Sequence, residues 1–176
     1  RYFRLAEPAI GELLESLAQF APKSAIRSLR EGTRANALRN ARSCYDHLAG
    51  KLGTSLMQAL LENGWLDGGD GTFVPGGADR LAGPGYDVEY RLTATGRRRL
   101  EAFGILPEEL PGRRQLIRYC VDWSEQRHHL GGKLGAALLD RMLELEWLTR
   151  ARSHRALQIT DDGRTGLERV FRCAAP

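Results

Sequence analysis

His47-Leu48-Ala49-Gly50-Lys51-Leu52-Gly53 returns almost letter for letter as His129-Leu130-Gly131-Gly132-Lys133-Leu134-Gly135. The correspondence runs on without a gap: Leu56, Leu60, Leu61, Glu62, Trp65 and Leu66 answer to Leu138, Met142, Leu143, Glu144, Trp147 and Leu148. Further along, Leu92-Thr93-Ala94-Thr95-Gly96 is matched by Ile159-Thr160-Asp161-Asp162-Gly163, so that Leu100 pairs with Leu167. The chain therefore holds two copies of one supersecondary unit. A small residue at Ala49 or Gly131, with a turn glycine at Gly53 or Gly135, suits two helices crossing closely at a tight turn. The Trp-Leu pair starts a strand, and the returning strand closes on Thr-x-x-Gly, which opens a new helix. Each unit thus reads as helix, turn, helix, β-hairpin, helix, a winged helix made twice.

The expected fold class is α+β, mainly helical, with an N-terminal amphipathic helix followed by two tandem winged-helix-like repeats. Residues 1–32 hold a wing-strand remnant (Arg1 to Leu5), a helix and a polar linker. That helix starts near Pro8 and carries Ile10, Leu13, Leu14, Leu17 and Phe20 on one apolar stripe, which needs either its own core or a partner helix across a dimer. The linker runs from Pro22 to Gly32. Residues 33–106 form the first unit, opening on a helix capped by Thr33 with Leu38, Ala41, Cys44 and Tyr45 on one face. Residues 107–176 form the second, whose first helix spans Arg113 to Arg127 with Leu116, Ile117, Cys120 and Trp123 at helical spacing. The second copy has about six extra residues before its His-Leu-x-Gly run. Between Asp67 and Asp87 the first wing strings together seven glycines and two prolines, a composition expected to be mobile. The return strand is Val88 to Thr93, and Gly104 ends the helix after it.

A formal net charge of +4 permits a nucleic-acid partner without requiring one, and 27% charged residues is ordinary for a folded domain. No apolar run approaches the roughly 18 residues of a membrane span, and no secretory leader pattern opens the sequence, so the cytoplasm is the expected compartment. The three cysteines, Cys44, Cys120 and Cys173, are odd in number and widely spaced, which argues against a disulfide framework. No Gly-x-Ser-x-Gly elbow, phosphate loop or His-Glu-x-x-His pair occurs, and an enzyme is not expected.

A winged helix that reads DNA lays its second helix in the major groove, where Arg, Lys, Asn and Gln reach base edges. Here that helix offers only Thr54, Ser55, Gln58 and Asn63 in one unit and Arg141 in the other, so base reading is expected to be weak. Arg150, Arg152, His154 and Arg155 on the short second wing are candidate phosphate contacts, or else a solvated hairpin tip. The sharper chemical pattern is Cys44, Asp46 and His47 in one unit with Cys120, Asp122, His128 and His129 in the other, soft and borderline ligand types at equivalent places. Cys44 and His47, three apart on a helix, can face one metal, with further ligands from the other unit. The bland alternative makes both cysteines small core hydrophobes and Asp46 a helix cap.

Arg1-Tyr2-Phe3-Arg4-Leu5 before the Pro-initiated helix, Arg27-Ser28-Leu29-Arg30 with Gly32-Thr33-Arg34, Cys44-Tyr45-Asp46-His47-Leu48-Ala49-Gly50 and Cys120-Val121-Asp122-Trp123 resemble a long subgroup of the ArsR-type bacterial repressors. The resemblance spans nearly the whole chain. It implies a cytoplasmic homodimeric repressor whose N-terminal winged helix, here missing upstream of Arg1, binds operator DNA. Release follows binding of an effector, a divalent metal ion or a small organic molecule, and Glu7 to Phe20 would be the dimer helix. The resemblance maps no metal motif onto Cys44 or Cys120. Two other readings stay open: a self-sufficient tandem winged-helix DNA binder, and a protein-interaction adaptor built on winged helices.

Overall fold

The computed structural model describes Ile10, Leu13 and Leu17, residues 29–151 and residues 155–176. The expectations for Arg1 to Leu5, for Pro8, Leu14 and Phe20 and for Arg152 and His154 lie outside those residues. Element order is α1 (Leu29–Asn40), β1 (Arg42–Cys44), β2 (His47–Ala49), α2 (Gly50–Glu62), β3 (Leu66–Asp67), β4 (Arg91–Leu92) and α3 (Ala94–Ala102). After a single 3-10 turn at Pro107–Glu109 come β5 (Arg118–Val121), β6 (His128–Gly131), α4 (Gly132–Glu144), β7 (Leu148–Arg150), β8 (Leu157–Ile159) and α5 (Asp161–Phe171). Ile10, Leu13 and Leu17 are helical and exposed. No helix among the described residues is long and apolar enough to cross a membrane.

The repeat is real in three dimensions, but its first element is not a helix. In each unit an antiparallel hairpin precedes the long helix: Arg42↔Ala49, Ser43↔Leu48 and Cys44↔His47 in one, Arg118↔Gly131, Tyr119↔Leu130 and Cys120↔His129 in the other. The helix expected over Arg113 to Arg127 is thus corrected to strand β5, a turn and the start of β6. The helix expected to run from Thr33 through Tyr45 begins earlier, at Leu29, and stops at Asn40, leaving Cys44 on a strand. Each unit is hairpin, helix, hairpin, helix, with more strand than a mainly helical fold requires.

The repeated glycines explain the repeated sequence. Gly50 and Gly132 have φ of +79° and +73°, the left-handed conformation that turns strand sharply into helix and that glycine adopts without steric cost. Gly53 and Gly135 sit in the first turn of the helix, where a Cβ would lie 2.6 Å from the Leu48 carbonyl oxygen and 2.5 Å from that of Leu130. They are close-approach glycines, and the helix-helix turn expected at this point is replaced by a strand-to-helix junction.

The wings interlock as the Trp-Leu and Thr-x-x-Gly signals predict. Thr93 and Thr160 donate their backbone N–H groups to the Trp65 and Trp147 carbonyls, and their hydroxyls accept from Gly96 and Gly163, capping α3 and α5. The long first wing, expected to be mobile, is instead hydrogen-bonded along β5. Ala82 N–H donates to the Val121 carbonyl, Val121 N–H to Gly83 and Gly85 N–H to Tyr119, which covers an edge that would otherwise be open. Asp79, 3% exposed, accepts from the Tyr86 and Asp87 amides and from the Tyr119 hydroxyl, fixing the loop on its own carboxylate.

The two units exchange their packing faces. Helix α2 lies against hairpin β5–β6 and α4 against β2, while Trp65 packs on Phe171 and Trp147 on Phe103. Asn63 donates to the Phe171 carbonyl, and Arg141 to that of Phe103. Leu48, Leu52, Leu56 and Leu60 and their counterparts Leu130, Leu134, Leu138 and Met142 share one core. Burying side chains of this kind stabilises by about 1.5–3 kcal/mol each, and because the faces are exchanged, neither unit keeps its core if the other is removed.

Candidate functional site

At the seam between the hairpins, equivalent register positions carry the same two chemistries. Cys44 is paired across its hairpin with His47, and Cys120 with His129. Strand alternation points each Cys–His pair to one face, and the seam brings those faces together, so that one ligand atom from each of the four residues lies within 4.8 Å of every other. The histidine rings are 5.2 Å apart at 31°. Each histidine rests on the opposite unit's helix glycine: a Cβ on Gly53 would be 3.5 Å from the His129 Cβ, and one on Gly135 would be 3.2 Å from that of His47. The glycines therefore serve two purposes, the junction and the room for an imidazole.

Each imidazole has a carboxylate beside it, hydrogen-bonded in the case of His47 and only near in the case of His129. His47 Nδ1 is 3.2 Å from Asp46 Oδ1, and His129 Nδ1 is 3.5 Å from Asp122 Oδ2. His47 is 7% and His129 2% exposed, yet His47 Nε2 and both ring nitrogens of His129 are buried without a hydrogen-bond partner, as is His128 Nε2. An unsatisfied buried polar group costs about 1–3 kcal/mol, so these nitrogens call for a ligand. Burial works against charge on His47, but Asp46 and Cys44 outweigh it and raise the imidazole to about 9. The neighbouring Cys120 thiol, followed by burial, pushes the Cys44 thiol up, against the pull of His129 and His47. Both cysteines are free and half-buried.

Asp122 is the hub behind the cluster. Fully buried, it takes both Arg42 Nη2 contacts at 2.9 and 2.8 Å, the Gly50 amide at 2.7 Å, and the Ser124 amide and hydroxyl. Burial alone would raise its carboxyl; the charges of His129 and Arg42 and the Gly50 N–H override that and hold it well below the carboxylate range. Arg42, itself 2% exposed, also donates to the Leu38 carbonyl of α1 and lies 4.6 Å from the Trp123 ring centre. The cluster is thereby tied to the helix that precedes the first unit. Asp46 is not the helix cap expected: it sits in the two-residue turn Tyr45–Asp46 and binds Arg114 at 2.5 Å.

Of the seven candidate residues, Cys44, His47, Cys120 and His129 converge, Asp46 bonds His47 and Asp122 lies beside His129, and His128 faces the other side of β6. There His128 Nδ1 is 2.8 Å from the Tyr90 hydroxyl and its ring stacks 4.2 Å from Tyr119; burial lowers its pKa. Of the candidate phosphate contacts that are described, Arg150 lies on β7 and is exposed, while the Arg155 carbonyl accepts from the Ser43 amide, so the base of the second wing is joined to β1. Arg42 was missed by sequence reasoning; the only local signal is that it precedes Cys44 by two, as Arg118 precedes Cys120. A pocket of about 40 Å³ opens onto the cluster, lined by Cys44, His47 and Cys120 together with Arg114, Arg118 and Pro84. Its size admits a single small ion or molecule.

Among known proteins, the chain is similar to the uncharacterized HTH-type transcriptional regulator YdfF of Bacillus subtilis (strain 168), 37% identical over 170 residues, which cover 96% of this chain and 68% of that protein. No protein-family model matches the chain, and no solved structure matches it.

Proposed function

This chain belongs to the HTH-type transcriptional regulators and acts in transcription rather than as an enzyme, and from that premise we propose that it is the regulatory region of a cytoplasmic ArsR-type repressor. In this reading the two hairpin–helix repeats sense an effector, the helix bearing Ile10, Leu13 and Leu17 joins two copies, and an N-terminal winged helix holds operator DNA. The observation that carries it is the Cys44/His47/Cys120/His129 cluster, closed only when both repeats are in place and linked through Asp122 and Arg42 to α1. Exposure of Ile10, Leu13 and Leu17 at 40, 59 and 54% supports a second copy as their cover.

The self-sufficient DNA binder is disfavoured by the state of the helices that would read bases. Most of α2 is buried between the units, Gln58 is held by Arg127 and Glu62, and Arg141 is spent on Phe103 and Glu144. Titration of the chain with promoter duplexes at increasing salt tests this. Weak binding that collapses with salt and shows no sequence preference is expected; tight operator binding by this chain alone would favour the rival.

A further inference from the structure

We propose that Cys44, His47, Cys120 and His129 form a tetrahedral two-sulfur, two-nitrogen site for a borderline-to-soft divalent cation of the zinc and cadmium class. Four soft or borderline donors already stand within 4.8 Å of one another. Tetrahedral bonds of about 2.3 Å to sulfur and about 2.0 Å to nitrogen put such donors roughly 3.3–3.8 Å apart, so closure takes about 1 Å of side-chain movement. Asp46 holds His47 Nδ1, so Nε2, buried and unpartnered, is the His47 nitrogen left for the metal, while His129 offers two buried, unpartnered ring nitrogens, of which Nδ1 lies 3.5 Å from Asp122. Carboxylate–histidine pairs of this kind fix the ring and strengthen it as a ligand.

Charge supports the same cation class. Two thiolates and two neutral imidazoles balance the charge of a divalent ion, so the loaded centre is neutral, as a mostly buried site requires. Oxygen-seeking magnesium or calcium finds no uncommitted carboxylate here, because Asp122 is held by Arg42, Gly50 and Ser124 and Asp46 by Arg114. The ligands come in equal number from the two repeats, so a bound ion would clamp hairpin β1–β2 to β5–β6. Through Asp122 and Arg42 it would also bias the packing of α1. That this bias is the regulatory signal rests on the function proposed above; the metal site itself does not.

The test is a titration of the chain, reduced and metal-free, with cobalt(II) and then zinc. One equivalent of cobalt with the visible d–d bands of a tetrahedral ion and a thiolate charge-transfer band, bleached by zinc and lost in Cys44→Ser and in Cys120→Ser, is the expected result. Cys173→Ala should retain the spectrum. Should the serine variants unfold, alkylation mass spectrometry of the wild type replaces them: zinc must protect Cys44 and Cys120. Absence of a tetrahedral spectrum, its survival in both serine variants, or a Cys44–Cys120 disulfide as the pair's sole chemistry would overturn the site. If zinc binds as described but leaves operator binding by the full-length repressor unchanged, the metal site stands and the regulatory reading falls.

Discussion

The two hairpins deliver the same Cys–His pair by different means. In the first, Cys44 and His47 flank a two-residue turn whose Tyr45 adopts φ of +55°, a left-handed conformation that costs a non-glycine residue about 1–2 kcal/mol. Its carboxylate, Asp46, is adjacent to the histidine and partly exposed. In the second, residues 121–128 separate Cys120 from His129, and the carboxylate is the fully buried Asp122. The Cys–His pair is duplicated while the neighbouring carboxylate comes from non-equivalent positions. Ancestry of the repeat alone accounts for the first fact and not for the second, which points to a requirement on the imidazoles themselves.

The largest expected difference between the hairpins is in stability. Asp122→Ala leaves the buried Arg42 guanidinium and the Gly50 amide without their acceptor, and chemical denaturation is expected to report a loss of about 3–5 kcal/mol. A loss below 1 kcal/mol would mean that the hub relaxes to solvent and does not hold the seam. Next come Gly53→Ala and Gly135→Ala, each forcing a Cβ against a strand carbonyl; each is expected to cost about 1–3 kcal/mol. Because both contacts are alike, unequal losses measured by thermal melting would break the symmetry claimed for the two junctions. The smallest stability effect belongs to Asp46→Ala, which removes a pair at the surface with Arg114 and the partner of the buried His47 Nδ1 and should cost about 0.5–1.5 kcal/mol. Its zinc affinity, measured by competition with a chelator, should nevertheless fall roughly 10–100-fold. An unchanged affinity would leave Asp46 as a turn residue only.

Much of this was legible in the sequence, and the misses have a common cause. The repeat and the Thr-x-x-Gly caps are carried by identity at fixed spacing, which survives without knowledge of secondary structure; the equivalence of Cys44 with Cys120 is carried by order alone, because the second copy has about six extra residues before its histidine. The hairpins were not legible because β1 and β5 hold three and four residues, too few for alternation to register. Leu116, Ile117, Cys120 and Trp123 imitate a helical stripe, although Trp123 is 38% exposed. The glycine-rich wing reads as loose because its order comes from β5, 36 or so residues away, and from the single buried Asp79. Arg42 and Asp122 are 80 residues apart, and nothing local in either position announces the other.

The most direct test of a site shared by the two repeats is X-ray absorption at the zinc edge on the zinc-loaded chain. Two sulfurs at about 2.3 Å and two nitrogens at about 2.0 Å, with imidazole scattering behind the nitrogens, are expected, since each repeat brings one sulfur and one histidine to the cluster and Cys173 lies outside it. A shell of oxygen and nitrogen alone, or one with a single sulfur, would contradict a centre closed by Cys44, His47, Cys120 and His129.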